Sequence, residues 1–194
     1  MIDTAAKKTA KWLLSTGAIS SSDVQLYEYA AYCLFFNLIP FALVSVIGGL
    51  MGMPAEGLLM IVPFILIRKF SGGFHLSSPL SCFISSTIFL SLFLLFVKLT
   101  IAYRLFMYHV CLVATAELCV FLLSPIDSAA RRLSAEEVKA FRKIARIVSV
   151  SILLVYVVFS IVGMYRVSIP IGTGIIITAI LQLPCMVHTS QSEN

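Results

Sequence analysis

Six apolar stretches, most of them long enough to cross a lipid hydrocarbon layer, leave this chain few ways to fold. They lie near 28–50, 54–69, 81–99, 103–123, 146–164 and 169–187. A spanning helix needs about 20 apolar residues, with about 17 as a working minimum. The second stretch is the weakest, being short and interrupted by Pro63. Only Lys98, Thr100 and Arg104 break the third from the fourth, so a tight turn is expected there. Of the 194 residues, 60% are hydrophobic and 12% charged, with a mean hydropathy of +1.02. Soluble domains carry about half and about a quarter, respectively. One soluble core could not hide such an excess, so lipid is the expected solvent. The expected fold is all-α: a polytopic integral membrane protein with about six transmembrane helices, forming a single membrane domain over 1–194. No internal repeat and no linker composition divides it.

Basic residues fix the expected orientation, because they collect on the cytoplasmic side. With six spans and both termini cytoplasmic, the inside holds Lys7, Lys8, Lys11, Arg68, Lys69, Arg131, Arg132, Lys139, Arg142, Lys143 and Arg146. The outside keeps only Lys98, Arg104 and Arg166. Omitting the second span would strand either Arg68 and Lys69 or the basic 131–146 run outside. Charge therefore supports an even number of spans and puts the segment after Lys69 at the cytoplasmic face.

Residues 1–26 lack the continuous apolar core of a cleaved signal. Trp12, Leu13 and Leu14 beside Lys7, Lys8 and Lys11 suggest an amphipathic helix on an anionic membrane surface. A solvated tail is the other reading. The longest polar segment, 124–145, contains Ser134-Ala-Glu136-Glu137, which has the form of a capping box, so a basic helix should start there and run into the fifth span. Its cations, with Lys69, Arg131 and Arg132, are either a positive-inside anchor or a docking surface for an acidic or amphipathic peptide.

Chemistry is expected at one place, Arg68-Lys-Phe-Ser-Gly-Gly-Phe-His75-Leu-Ser-Ser-Pro-Leu-Ser-Cys82. A thiol and an imidazole suffice to make a nucleophile and its base. On an unbroken helix, His75 and Cys82 would stand roughly 10 Å apart along the axis, well beyond hydrogen-bond reach. Gly72, Gly73 and Pro79 predict a re-entrant or broken segment near 68–80 that folds back. Such backbone survives at membrane depth only when buried in protein or facing water. Only the thiolate attacks well, and Arg68 and Lys69 supply nearby cations. Ser71, Ser77 and Ser78 could hold the imidazole or donate to an oxyanion, or simply satisfy local backbone.

Other candidates are poorer. His109 and Cys111 are two apart on a helix and do not face each other. Cys185 and His188 have no bend or charge around them. Cys33, Cys82, Cys111, Cys119 and Cys185 show no zinc or disulfide spacing, and neither metal nor cofactor is expected. Glu117 stands inside the fourth span, where an ionisable residue is a functional hypothesis by default. It could orient His75, receive a basic substrate side chain, or pin two helices as a neutral acid.

Arg68, Gly72-Gly73, His75 and Cys82, followed by an apolar span and Pro125-Ile126-Asp127, resemble the accessory gene regulator B family. These are bacterial membrane endopeptidases that process quorum-sensing propeptides. The likeness covers nearly the whole chain, and its specific part is the Arg…Gly-Gly-x-His-x6-Cys segment. It implies that His75 and Cys82 are a catalytic dyad, with Arg68 and Gly73 at positions associated with activity. It also implies an amphipathic propeptide with an acidic C-terminal tail as partner, a bacterial cytoplasmic membrane location, and a cyclic thiolactone or lactone product. The chain departs from the family pattern in two places. Ser-Ala-Ala-Arg-Arg follows Asp127 in place of a lysine- and proline-rich run, and Tyr32 stands where a glutamate is common.

Two other classes compete: a small transporter or channel subunit using Glu117, and a non-catalytic membrane scaffold. Small residues such as Ser85, Ser86, Ala114 and Ala116 allow close helix packing, so a homodimer is compatible with the third and fourth spans. The propeptide and the lipid bilayer are the expected partners, with a second copy of the chain as a further candidate, and no nucleic acid is expected.

Overall fold

A computed structural model of the chain describes residues 2–72, 79–126 and 135–191, without the side chain of Cys82. Seven helices account for nearly all of them: α1 (Ile2–Ser15), α2 (Val24–Met51), α3 (Pro54–Ser71), α4 (Pro79–Ala102), α5 (Phe106–Leu123), α6 (Ala135–Ile161) and α7 (Tyr165–Gln191). Among the described residues there is no strand. The all-helical membrane architecture expected from hydropathy is what forms.

The chain divides into two compact units, residues 1–43 and 44–194. In the first, α1 is an amphipathic helix rather than a tail. Ala6 and Ala10 are buried while Lys7, Lys8, Lys11 and Trp12 are exposed. Lys7 pairs with Asp3 one turn away at 3.2 Å and reaches Glu28 of α2 at 3.8 Å. The Asp3 hydrogen bond and charge, helped by Glu28, hold the Lys7 ammonium above its ordinary pKa. The helix ends at Ser15. Gly17, at φ +71°, stops it, and its N–H and that of Ala18 return to the carbonyls of Leu14 and Leu13.

The second unit is a bundle built around α7, which packs against α3, α4, α5 and α6. Every residue from Ser168 to Ala179 is buried, so this helix has no lipid-facing side over three turns. Small residues make that enclosure sterically feasible. A Cβ on Gly172 would come within 2.7 Å of His109 and Val113, and one on Gly174 within 2.6 Å of the Met60 carbonyl. The close packing expected of the third and fourth spans thus falls chiefly on α7. Ala116 is in the core, but Ala114 is exposed.

Five helices, α2 and α4–α7, contain stretches long and apolar enough to cross a membrane. The sixth expected span corresponds to α3, which carries Glu56, Arg68 and Lys69 in only 18 residues. It is nevertheless one continuous helix set into the bundle by Met60, Ile61, Phe64 and Ile67. Pro54 stands at its start, where the missing N–H costs nothing. Pro63 is inside and buried, a position that membrane helices tolerate when neighbours cover the freed backbone.

Side chains close the bundle at the end where α3 and α7 begin. Arg166 meets the buried Glu56 at 3.0 Å, Lys98 reaches the Met51 carbonyl at 3.5 Å, and the Phe106 and Tyr165 rings lie 4.6 Å apart. Nearby, His109 is fully buried, with Nδ1 3.3 Å from the Tyr156 hydroxyl and Nε2 3.2 Å from that of Thr173. Cys111 faces outward, so His109 is a structural histidine tying three helices.

Candidate active site

The chain reverses between α3 and α4. Gly57, near the start of α3, packs against Leu94, in the second half of α4. Were the two helices parallel, Ser71 and Pro79 would be separated by about 40 Å at ~1.5 Å rise per residue. Eight residue steps span at most about 29 Å. The helices are therefore antiparallel; α3 stays helical to Ser71, and the rest of the re-entrant or broken segment expected near 68–80 falls mainly on residues 73–78, which lie outside the described residues. Gly72 ends α3 at φ +75°, its N–H returning to the Arg68 carbonyl at 3.2 Å. That conformation costs a residue with a Cβ, but not glycine.

Cys82 falls in the first turn of α4, the end of a helix that favours negative charge. His75, Gly73 and Ser77 lie outside the described residues, as do Arg131 and Arg132.

The end of α3 is fastened to the segment after α5. The Ile126 N–H donates to the Ser71 carbonyl at 3.0 Å, and the Ile126 carbonyl sits where a Cβ on residue 72 would be. The same segment is held from α7, because Gln182 Nε2 donates to Ser124 Oγ at 2.9 Å. Ser71, Ser124 and Gln182 are all buried. Gln182 and Ser124 were missed in the sequence, although a glutamine inside an apolar span is costly enough to be a signal.

Glu117 is buried between α5 and α6 beside Ser149, yet neither carboxyl oxygen has a hydrogen-bond partner of good geometry among the described residues. Two hollows stand out among the described residues; one is apolar, about 300 Å³, and lined by α3, α6 and α7. The other is polar and lined by Asp3, Gln25, Glu28, Tyr29 and Tyr32. Glu117 lines neither.

The sequence profile of accessory gene regulator B matches residues 6–186. The chain belongs to that family. Accessory gene regulator B proteins take part in processing quorum-sensing propeptides, and this member is a multi-pass membrane protein of that system. No curated protein and no solved structure matches it.

In this accessory gene regulator B chain most described cations of the second unit lie at the end of the bundle opposite the Arg166–Glu56 pair. Lys69 of α3 and Lys139, Arg142 and Lys143 of α6 are exposed. The Phe70 and Phe141 rings, 6.2 Å apart, bring the two helices together there. Arg68 lies over the Phe64 ring at 5.4 Å. Arg146 is spent on structure, its Nε donating to the Phe121 carbonyl at 3.1 Å while the guanidinium covers that ring.

Proposed function

We propose that this protein is a membrane-embedded cysteine endopeptidase that removes the C-terminal tail of an autoinducing propeptide and cyclises the remainder. The supporting observation is that α3 and α4 run antiparallel, so the end of α3 at Gly72 and the first turn of α4, which carries Cys82, are at the same end of the bundle. In this reading His75 takes the Cys82 proton, and the thiolate attacks the carbonyl carbon at the end of the future ring. The C–N bond breaks as the imidazolium returns its proton to the departing amine, leaving a thioester on Cys82. An internal thiol of the propeptide attacks that thioester, frees Cys82 and closes a thiolactone; an internal hydroxyl would close a lactone. Exchange of one thioester for another is nearly neutral, whereas hydrolysis is strongly downhill. The reaction therefore needs water kept out, which a site at the membrane boundary can provide.

Both termini and the basic end face the cytoplasm in this reading, since reversing the protein would leave most of its cations outside. That orientation makes α3 a sixth crossing. The exposed Lys69, Lys139, Arg142 and Lys143, with Arg131 and Arg132, then attract the propeptide's acidic tail. Arg68, Gly72, Gly73 and Ser77 support the site. Glu117 has a role in the bundle or toward substrate that is separate from the bond-making step.

The deciding experiment uses purified protein in liposomes with its propeptide. Release of the C-terminal fragment together with a covalent peptide adduct at Cys82 is expected. Cleavage undiminished by Cys82→Ala ends this reading. Flux of a small solute that survives Cys82→Ala but not Glu117→Gln would instead establish a transporter.

A further inference from the structure

Two connections at the basic end are joined to each other just before one reaches residue 73 and the other residue 127. The join is made of backbone: Ile126 N–H to Ser71 carbonyl, with the Ile126 carbonyl filling the space left by the absent Cβ of Gly72. A bond of this kind fixes Gly72 only as well as the 124–126 segment is itself fixed. That segment follows the C-terminal end of α5, and among the described residues Gln182 of α7 donates a side-chain hydrogen bond to it at the Ser124 hydroxyl.

Gln182 is an uneconomical choice for packing alone. It is completely buried on the helix that fills the bundle, where leucine or methionine would occupy the space without a polar group to satisfy. Its amide nitrogen is committed to Ser124, while its oxygen has no partner among the described residues. Among the described residues this buried amide makes one hydrogen bond, and its partner is on the segment that seats Ser71 and Gly72.

We infer that Gln182 and Ser124 are positioning residues for the processing reaction, holding the 124–126 segment as a seat for Ser71–Gly72, from which His75 follows three residues later. The inference rests on the cysteine-peptidase reading above. It is one of geometry: a loosened seat leaves substrate binding intact but lets the base drift from the thiol. Misplacement of a catalytic group by about 1 Å can cost on the order of 100-fold in rate.

The test uses the full-length protein in liposomes with its propeptide, comparing wild type, Gln182→Met, Ser124→Ala, Ser124→Thr and the Gln182→Met/Ser124→Ala double variant. For Gln182→Met and Ser124→Ala, kcat should fall by about 10- to 100-fold with KM within about twofold. Ser124→Thr, which keeps the hydroxyl, should recover most of the rate. The double variant should be no slower than the slower single one, because both remove the same bond. The pH at which Cys82 is half-maximally alkylated, read at that residue by mass spectrometry, should rise in both single variants, since an imidazolium no longer held near the sulfur favours the thiolate less. A purely structural role would lower the yield of folded protein and leave that pH unchanged in what remains. An unchanged alkylation pH, an unchanged kcat, or additive losses in the double variant would overturn the inference. Should Gln182→Met fail to fold, Ser124→Ala, which deletes a single oxygen, carries the same expectations. Failure of the wild type to cleave, or cleavage surviving Cys82→Ala, would instead remove the peptidase reading itself.

Discussion

The two ends of the second unit are closed by different means. Where α3 and α7 begin, closure is by side chains: an ion pair, a lysine on a carbonyl, and two rings. The helices there are joined by links of two or three residues. At the basic end the links are longer, and the fastening is made of backbone and a buried amide. Exposed side-chain contacts tolerate motion and substitution, because water replaces them cheaply. The backbone bond from Ile126 to Ser71, with the Ile126 carbonyl set where a Cβ on Gly72 would be, leaves one link little room to shift against the other. Of the contacts that fasten the connecting links, the more exacting ones lie at the end where the proposed chemistry is.

The largest effect expected at the basic end comes from the nucleophile. Cys82→Ala should reduce tail release by at least ~10³-fold with no loss of folded protein, measured as fragment released per enzyme over time. Next in size is Gly72→Ala, which puts a methyl group onto the Ile126 carbonyl and a Cβ at φ +75°. It should lower kcat about 100-fold while propeptide binding, followed by co-sedimentation with liposomes, stays within about threefold. Charge reversal of Lys139, Arg142 and Lys143 to Glu should act oppositely, raising KM about tenfold at low salt with little change in kcat. The difference should shrink as salt is added, because screening is effective over about 8–10 Å. Smallest is Arg166→Ala at the other end. Its partner Glu56 is buried, but Arg166 itself is largely exposed, so the pair contributes no more than about 1 kcal/mol after solvent screening. Cleavage should remain within about twofold while the unfolding temperature in detergent drops slightly. A large catalytic loss from Arg166→Ala would erase the contrast between the ends.

Much of this architecture was legible because lipid imposes a simple rule. Long apolar runs must be helices, and α2, α4, α5 and α6 could be read from length and composition alone. The cap at Gly72 and the helix beginning near Ser134 were likewise written locally, in a glycine pair and in Glu136 and Glu137. α3 was ambiguous because Pro63 and its charges argue against a span, whereas its burial depends on neighbours that no local window contains. The enclosure of α7 was hidden for the same reason. Its glycines, serine and threonines lower its hydropathy, so it reads as a weaker span although it is the most buried one. The fastening of Ser71 to Ile126 joins backbone atoms of residues far apart in the chain, and backbone carries no sequence label. Pro125-Ile126-Asp127 was visible as a motif, but its use as a seat for Gly72 was not.

The complete burial of α7 bears on how the protein is made. Each of the helices it touches precedes it along the chain, so during synthesis they enter the bilayer with their common centre vacant. Glu56, His109 and Ser124 would then lack the arginine, threonine and glutamine that α7 brings them. A nascent chain halted just before Tyr165 should be a loose set of helices, readily cut by membrane proteases, and compaction should come in one late step when that final helix slides into place.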